Sequence, residues 1–221
     1  MRKGKRWLAA AVIVQSLASV GPVYAADDGV SIADTFTDSS FRSYVSSNFD
    51  TDSNGYLSDA EISNVTSIDV SKCSPAISSL NGVELFTNLS KLDFNEQSIR
   101  NLDIENLENL EYIDVSSNRI DSLTLPVSAE KLTYLDISGN KITSLTSLAD
   151  YNNLVLLNAN STNLSSIDVS NMKGLKVLGV SGTTISTLDL GSNMELTTLY
   201  CDSMRSLPVL DVSGHEKLKN L

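Results

Sequence analysis

From Leu89 onward the apolar positions keep a fixed interval. The segments LSKLDFNEQSI, LEYIDVSSNRI, LTYLDISGNKI, LVLLNANSTNL, LKVLGVSGTTI and LTTLYCDSMRS begin at Leu89, Leu110, Leu132, Leu154, Leu175 and Leu196. Their spacings are 21, 22, 22, 21 and 21 residues, and a further 22 lead to Leu218 in LKNL. Within each segment the fourth and sixth places are apolar, as in Ile113 and Val115 or Leu135 and Ile137. This alternation predicts a short strand with one buried face. One such strand buries too little to stand alone. Stacked at roughly 4.8 Å, the strands form a parallel sheet whose inward faces make a continuous core, and each fully buried Leu or Ile contributes roughly 1.5–3 kcal/mol before entropy is deducted.

The second half of each repeat has its own pattern of an apolar residue, Asp and another apolar residue, as in IRNLDIENLENL, LSSIDVSNMKGL and ISTLDLGSNMEL. It predicts a second short extended segment on the far side, with Asp103, Asp168, Asp189 and Asp211 capping turns through side chain to backbone hydrogen bonds.

The register L-x-x-L-x-L-x-x-N-x-L resembles the bacterial leucine-rich repeats, including the internalin-like type. The resemblance covers about residues 80–221 and implies a right-handed α/β-type solenoid, mostly β, with a short helical N-terminal cap. It also implies an inward column of asparagines bonding backbone groups after each strand. Asn118 and Asn140 match that column, whereas Gln97, Thr162, Thr183 and Met204 stand in the same place. The ladder is therefore expected to weaken toward the C-terminus, with irregular geometry around CDSMRSLPVLDV, where Pro208 intrudes.

Ahead of the repeats, SFRSYVSSNF offers Phe41, Tyr44, Val45 and Phe49 on one helical face, with Asp38, Ser39 or Ser40 as the N-cap. FDTDSNGYLSDAE follows. Counting Asp50 as first, Asp52 is third, Asn54 fifth, Gly55 sixth, Tyr56 seventh, Ser58 ninth and Glu61 twelfth, the full EF-hand loop signature. Oxygens from Asp50, Asp52, Asn54, the Tyr56 backbone and Glu61, with Ser58 beside them, can converge on one hard cation, and the glycine permits the sharp turn. The loop has no second copy in the chain, so the expectation is a single weak Ca2+ site, in the range of roughly 10⁻⁴–10⁻³ M. A dockerin-like role is disfavoured because dockerins duplicate the loop. Internalin-like proteins resemble this arrangement in placing a small helical, EF-hand-like cap before the first repeat, which assigns residues 26–66 to a cap and 67–221 to the solenoid.

Residues 1–25 read as a secretory signal peptide, with basic MRKGKR, apolar WLAAAVIV and a small-residue site at Val23 and Ala25. The apolar run is too short to span a bilayer, which takes roughly 20 residues. Its removal takes away four basic residues and no acid, moving the formal charge from −11 to −15. Nucleic acid and anionic membranes are poor partners for such a chain. The two cysteines, Cys73 and Cys201, lie about six strand spacings apart, on the order of 30 Å, too far for a disulfide. Cys201 falls at a core position of its repeat.

Side chains between the buried strand positions are expected on the concave face in two columns. One is Lys91, Tyr112, Tyr134, Leu156, Val177 and Thr198; the other is Asp93, Asp114, Asp136, Asn158, Gly179 and Tyr200. Stacked aspartates repel, so folding alone does not favour them. Tyr112, Asp114, Tyr134, Asp136, Leu156 and Asn158 are accordingly the candidate ligand surface for a protein or carbohydrate. The only histidine, His215, sits in the last, incomplete repeat, so the chain reads as a non-enzyme exported to the cell surface or beyond. The alternative is a structural spacer, or a fragment of a larger surface protein whose activity lies in a missing C-terminal region.

Overall fold

The computed structural model describes residues 29–145, 148 and 150–221. The signal-peptide reading falls outside them. Seven three-residue strands form one parallel sheet: β3 (Ser67–Asp69), β4 (Lys91–Asp93), β6 (Tyr112–Asp114), β8 (Tyr134–Asp136), β9 (Leu156–Asn158), β10 (Val177–Gly179) and β11 (Thr198–Tyr200). Each lies beside its neighbours in the order of the repeats, and the register equates the same place in every one. Thus Lys91 pairs with Tyr112, Tyr112 with Tyr134, Tyr134 with Leu156 and Leu156 with Val177. The middle residues Ile68, Leu92, Ile113, Leu135, Leu157, Leu178 and Leu199 are fully buried. The core is a continuous row of branched side chains one strand spacing apart.

On the far side, β5 (Asn101–Asp103) pairs with β7 (Ser122–Thr124) in a two-stranded parallel sheet. The second extended segment thus forms ladder strands in two repeats only, among the described residues. The same sequence idiom makes a turn at the end of β5 and in later repeats, closed by its aspartate. Asp103, Asp168, Asp189 and Asp211 accept from the backbone N–H two residues on, at 3.2, 3.0, 2.9 and 2.8 Å.

Between the two sides a polar ladder ties the first turns each to the one before. Asn118 donates to Phe94 O of the preceding repeat and accepts from Ile99 N; Asn140 donates to Val115 O and accepts from Ile120 N. Gln97 does the same work one repeat earlier, donating to Val70 O and accepting from Ile77 N. Thr162 and Thr183 donate only to Ala159 O and Val180 O, within their own turns. A hydroxyl on a single carbon does not reach the neighbouring repeat as a carboxamide does. Beyond Met204 no strand pairs until Asn220 bridges to Thr198, and Val209 is largely exposed. Cys201 is half-buried rather than a core residue, and both thiols are free.

A second ladder, on the back, uses unlike side chains for one task. Tyr151 Oη donates to Pro126 O, Asn193 Nδ2 to Val169 O, and His215 Nε2 lies 3.1 Å from Leu190 O, each reaching a carbonyl 24 or 25 residues earlier. Asn193 Oδ1 is buried with no partner among the described residues.

The cap comprises β1 (Val30–Ser31), α1 (Ile32–Thr35), α2 (Ser39–Asn48), β2 (Tyr56–Leu57) and α3 (Asp59–Asn64). Asp38 caps α2 through Ser40 N and Phe41 N, and its other oxygen takes Ser78 N and Oγ, joining the cap to the first repeat. Phe36, Phe41 and Phe49 pack edge-on or stacked against Phe86 and Phe94 of the solenoid, at centroid separations of 5.3–5.9 Å. Gly82 lets this happen: it has φ +96°, and a Cβ there would fall 2.6 Å from the Phe36 ring.

The two halves of the inner ladder differ in consequence. Asn118→Ala leaves a buried N–H and a buried carbonyl of the preceding repeat, Ile99 N and Phe94 O, unpaired, at about 1–3 kcal/mol each. Thr183→Ala removes one local bond, worth about 1 kcal/mol. Urea denaturation should show the first variant several-fold more destabilised than the second; equal losses would mean that the carboxamides do not bind repeat to repeat.

Candidate functional site

The outer face of the seven-stranded sheet carries the two expected columns, and the first runs as a gradient of chemistry. Lys91, Tyr112, Tyr134, Leu156, Val177 and Thr198 are all half-buried and follow in register. The in-register spacing brings Tyr112 and Tyr134 face to face, with centroids 4.2 Å apart and planes at 11°. Lys91 Nζ lies 5.2 Å over the Tyr112 ring. A stack locked by strand register is rigid without cost to a ligand.

The second column differs from the open row of solvated carboxylates that strand alternation leads one to expect. Asp93, Asp114 and Asp136 are only 7%, 8% and 9% exposed. The reason is local. Asp114 Oδ1 accepts from Ser116 N and Oγ at 3.0 and 2.7 Å, and Asp136 Oδ1 from Ser138 N and Oγ at 2.9 and 2.6 Å. Each carboxylate folds over the turn that follows its strand. The row is also longer than the three aspartates found by sequence, because Asp69 of β3 is in register with Asp93 and bonds Ser71 in the same way. Its signal was present in SIDVS, the repeat idiom at residues 67–71.

Four carboxylates in register demand compensation, and Lys91 supplies it at one end. Its ammonium lies 3.4 Å from Asp69 Oδ2 and 3.3 Å from Asp93 Oδ2. Even so, burial, with the like charges of Asp69 and Asp114 behind it, outweighs Lys91 and lifts the Asp93 pKa above the ordinary carboxylate value. Burial first, then neighbouring negative charge, also lifts both tyrosine hydroxyls. At the other end the charges give way to amides. Asn158 Nδ2 donates to Asp136 Oδ2 at 2.8 Å, Asn158 Oδ1 accepts from Asn160 N, and Asn160 Oδ1 accepts from Ser181 N. Gly179 makes room for this, since a Cβ there would fall 2.6 Å from Asn158 Oδ1.

The acidic loop is a separate assembly. Ligand-type oxygens of Asp50, Asp52 and Glu61 all lie within 4.8 Å of one another. Asp50 accepts from Asn54 N and Gly55 N, Asp52 from Asn54 N and Nδ2, and Asn54 Oδ1 from Tyr56 N. Gly55 holds φ +86° at the sharp turn. β2, which follows it, is paired antiparallel with β1, so Tyr56 and Leu57 have a strand partner although the loop has no second copy. Glu61 is committed within the protein. Its Oε1 accepts from Thr51 N and Oγ1, and its Oε2 from Ser58 N and Oγ, in a capping box at the start of α3. These bonds, the Thr51 hydroxyl foremost, draw its pKa down to about 2. Four donors fill the four lone-pair sites of the carboxylate. The donor set therefore suits a hard cation, with the condition that Glu61 exchanges bonds to Thr51 and Ser58 for bonds to the metal.

Known proteins bear on the repeats and the fold. A family model described as Leucine Rich repeats (2 copies) matches residues 108–150. No curated protein sequence matches the chain. Among solved structures, an internalin (inlF) from Listeria monocytogenes is similar with a TM-score of 0.72 at 21% identity, over 87% of this chain and 57% of that one. An internalin C2 from the same organism gives 0.64 at 19%, over 87% and 96%. The functional domain of InlJ from that organism gives 0.51 at 25%, over 88% and 56%. InlJ includes a cysteine ladder, which two separated cysteines cannot form here. The chain spans a little over half the length of the inlF and InlJ chains.

Lys91→Met tests the electrostatics of the row. The Asp93 pKa, already raised, should rise further when read by carboxyl NMR. Because the folded state then holds its proton more tightly than the unfolded chain, stability falls as pH rises from the unfolded pKa through the folded one. The variant should lose more stability than wild type across that window; an unchanged Asp93 titration would remove Lys91 from the account.

With the register, the core and the cap in place, the fold is leucine-rich repeats wound into an internalin-like, mostly β solenoid of about six turns, with a roughly 21-residue period and a short helical cap.

Proposed function

We propose that this is a non-catalytic binding module that recognises a protein through the outer, concave face of its sheet, around Tyr112, Asp114, Tyr134, Asp136, Leu156 and Asn158. The observation that carries the reading is the tyrosine stack, held rigid by strand register and continued by half-buried Leu156 and Val177. Aromatic anchors beside aliphatic surface are the composition of interface centres. The non-catalytic reading draws on the one histidine as well. His215 has Nδ1 3.3 Å from Ser213 O and Nε2 3.1 Å from Leu190 O, so both nitrogens face backbone carbonyls. Export through residues 1–25 belongs to the same reading, and the described residues include no helix long and apolar enough to cross a membrane.

A photo-crosslinking amino acid placed at Lys176, beside the apolar end of the first column, and at Glu108, on the back, tests the face. The expected result is a protein captured from Lys176 alone, and its loss in Tyr112→Ala/Tyr134→Ala at unchanged melting temperature. Equal capture from Glu108, or persistence in the double variant, would overturn the assignment.

The cap loop is proposed to take one calcium ion weakly, through Asp50, Asp52, Asn54, the Tyr56 carbonyl and Glu61, with Ser58 released from Glu61. The ion would supply positive charge to a cluster of carboxylates and stiffen the cap. Calorimetry should show saturable heat with Kd of about 10⁻⁴–10⁻³ M and a raised melting temperature. Both should vanish in Asp50→Ala/Glu61→Ala; calcium that leaves the wild-type melting curve unmoved would make the loop a metal-free cap.

A further inference from the structure

The aspartate row already holds one cation, and the way it does so indicates what the rest of the row takes. Lys91 places its ammonium between the Oδ2 atoms of two in-register aspartates, Asp69 and Asp93, at 3.4 and 3.3 Å, over a tyrosine ring. Two repeats on, Asp114 and Asp136 stand in the same register on adjacent strands. The positions aligned with Lys91 are there Tyr112 and Tyr134, which bring aromatic surface and no positive charge. Among the described residues no lysine or arginine pairs with Asp114 or Asp136. Each has its Oδ1 tied to a serine. Asp136 Oδ2 accepts from Asn158, and Asp114 Oδ2 meets the Tyr112 hydroxyl at 3.5 Å, the limit of a hydrogen bond.

Both carboxylates are largely stripped of water, so a cation reaching them bonds in a medium where charge-assisted bonds are strong. The stacked rings beside them suit the stem of a long basic side chain, and a cation near tyrosine gains further from the ring faces and edges it meets. The chain's formal charge of −11 steers basic partners toward it.

Resting on the protein-binding reading of this face, we propose that the strip formed by Tyr112, Asp114, Tyr134 and Asp136 reads a basic segment of the protein partner. One lysine or arginine side chain lies along the tyrosine stack with its charge at Asp114 and Asp136, in the manner of Lys91 at Asp69 and Asp93. Apolar side chains adjoining it rest on Leu156 and Val177.

The test is an NMR titration of the full chain with ¹³C-labelled tyrosine rings. The probes are a short peptide carrying arginines next to leucine and valine, its counterpart with glutamate for arginine, and a neutral glucose oligosaccharide. The arginine peptide should shift the Tyr112 and Tyr134 rings saturably and the glutamate peptide should not. Affinity should fall roughly tenfold or more in Asp114→Asn/Asp136→Asn, fall with added salt, and stay unchanged in the charge-matched Glu105→Gln/Glu130→Gln. The asparagines keep an oxygen to cap Ser116 and Ser138. Should they nevertheless disturb the fold, Tyr112→Leu/Tyr134→Leu keeps the carboxylates, removes the stack, and should weaken the arginine peptide as well.

Equal weakening in both charge pairs would reduce the effect to net charge and overturn the proposal, as would rings unmoved by the arginine peptide. If the oligosaccharide shifts the rings and the arginine peptide does not, the basic-partner proposal fails while this face remains a binding surface for glycan. Failure of the protein-binding reading itself is seen separately, in crosslinking from Glu108.

Discussion

Everything in this molecule depends on strict parallel register. A three-residue strand has too few ladder bonds and too little buried area to persist, so each strand is stable only because the next presents the same three places at the same height. The middle place is an unbroken file of buried leucine and isoleucine. Backbone groups in the turns between strands are the weak point of such a design, since a buried unpaired N–H or carbonyl costs more than a hydrogen bond returns. Gln97, Asn118 and Asn140 answer that in the first repeats by donating to the previous turn and accepting from it. Where threonine replaces the carboxamide, what remains is the backbone bond that the carboxamide repeats also make, Thr184 N to Leu164 O as Arg119 N to Ile99 O.

The same register that makes the core also concentrates charge. Any residue type repeated at one place becomes a column one strand spacing deep, and repetition of Asp at the third place sets four carboxylates in line. The protein limits the repulsion in three ways. One oxygen of Asp69, Asp114 and Asp136 is turned into a serine-bonded turn. One lysine bridges the first pair, and the column changes to asparagine and then glycine as it proceeds. The Asp93 pKa stays raised all the same, by burial first and by the charges of Asp69 and Asp114 after it.

Most of the fold was legible because repetition is the loudest signal a sequence carries. The period alone places every strand of the main sheet from Lys91 onward, and it matches Tyr112 with Tyr134 and Asp114 with Asp136. What stayed hidden was whatever is not periodic or is periodic in role and not in residue type. β1 is two residues long and becomes a strand only because Tyr56 and Leu57 lie beside it. Tyr151, Asn193 and His215 share the task of bonding an earlier carbonyl, yet share no chemistry that a pattern would align. The burial of the aspartates was readable in principle from D-x-S at residues 69–71, 114–116 and 136–138, since aspartate and serine at that spacing close a local turn. Strand alternation pointed the other way and, taken alone, misplaced them.

The cap shows how one residue type serves two masters. Glu61 at the twelfth loop position is where a cation would want two oxygens, and it is also the third residue of α3, where a capping box takes one of them for Ser58 and Thr51 takes the other. Both demands cannot be met together, because the Thr51 and Ser58 bonds already occupy its lone pairs. A cation at this loop must therefore be held by the difference between coordination and capping, not by coordination alone. The aromatic seal of the cap on Phe86 and Phe94 and the Asp38 link to Ser78 involve none of the loop carboxylates. Closing this end of the core is then the work of the phenylalanines, whether or not the loop holds an ion.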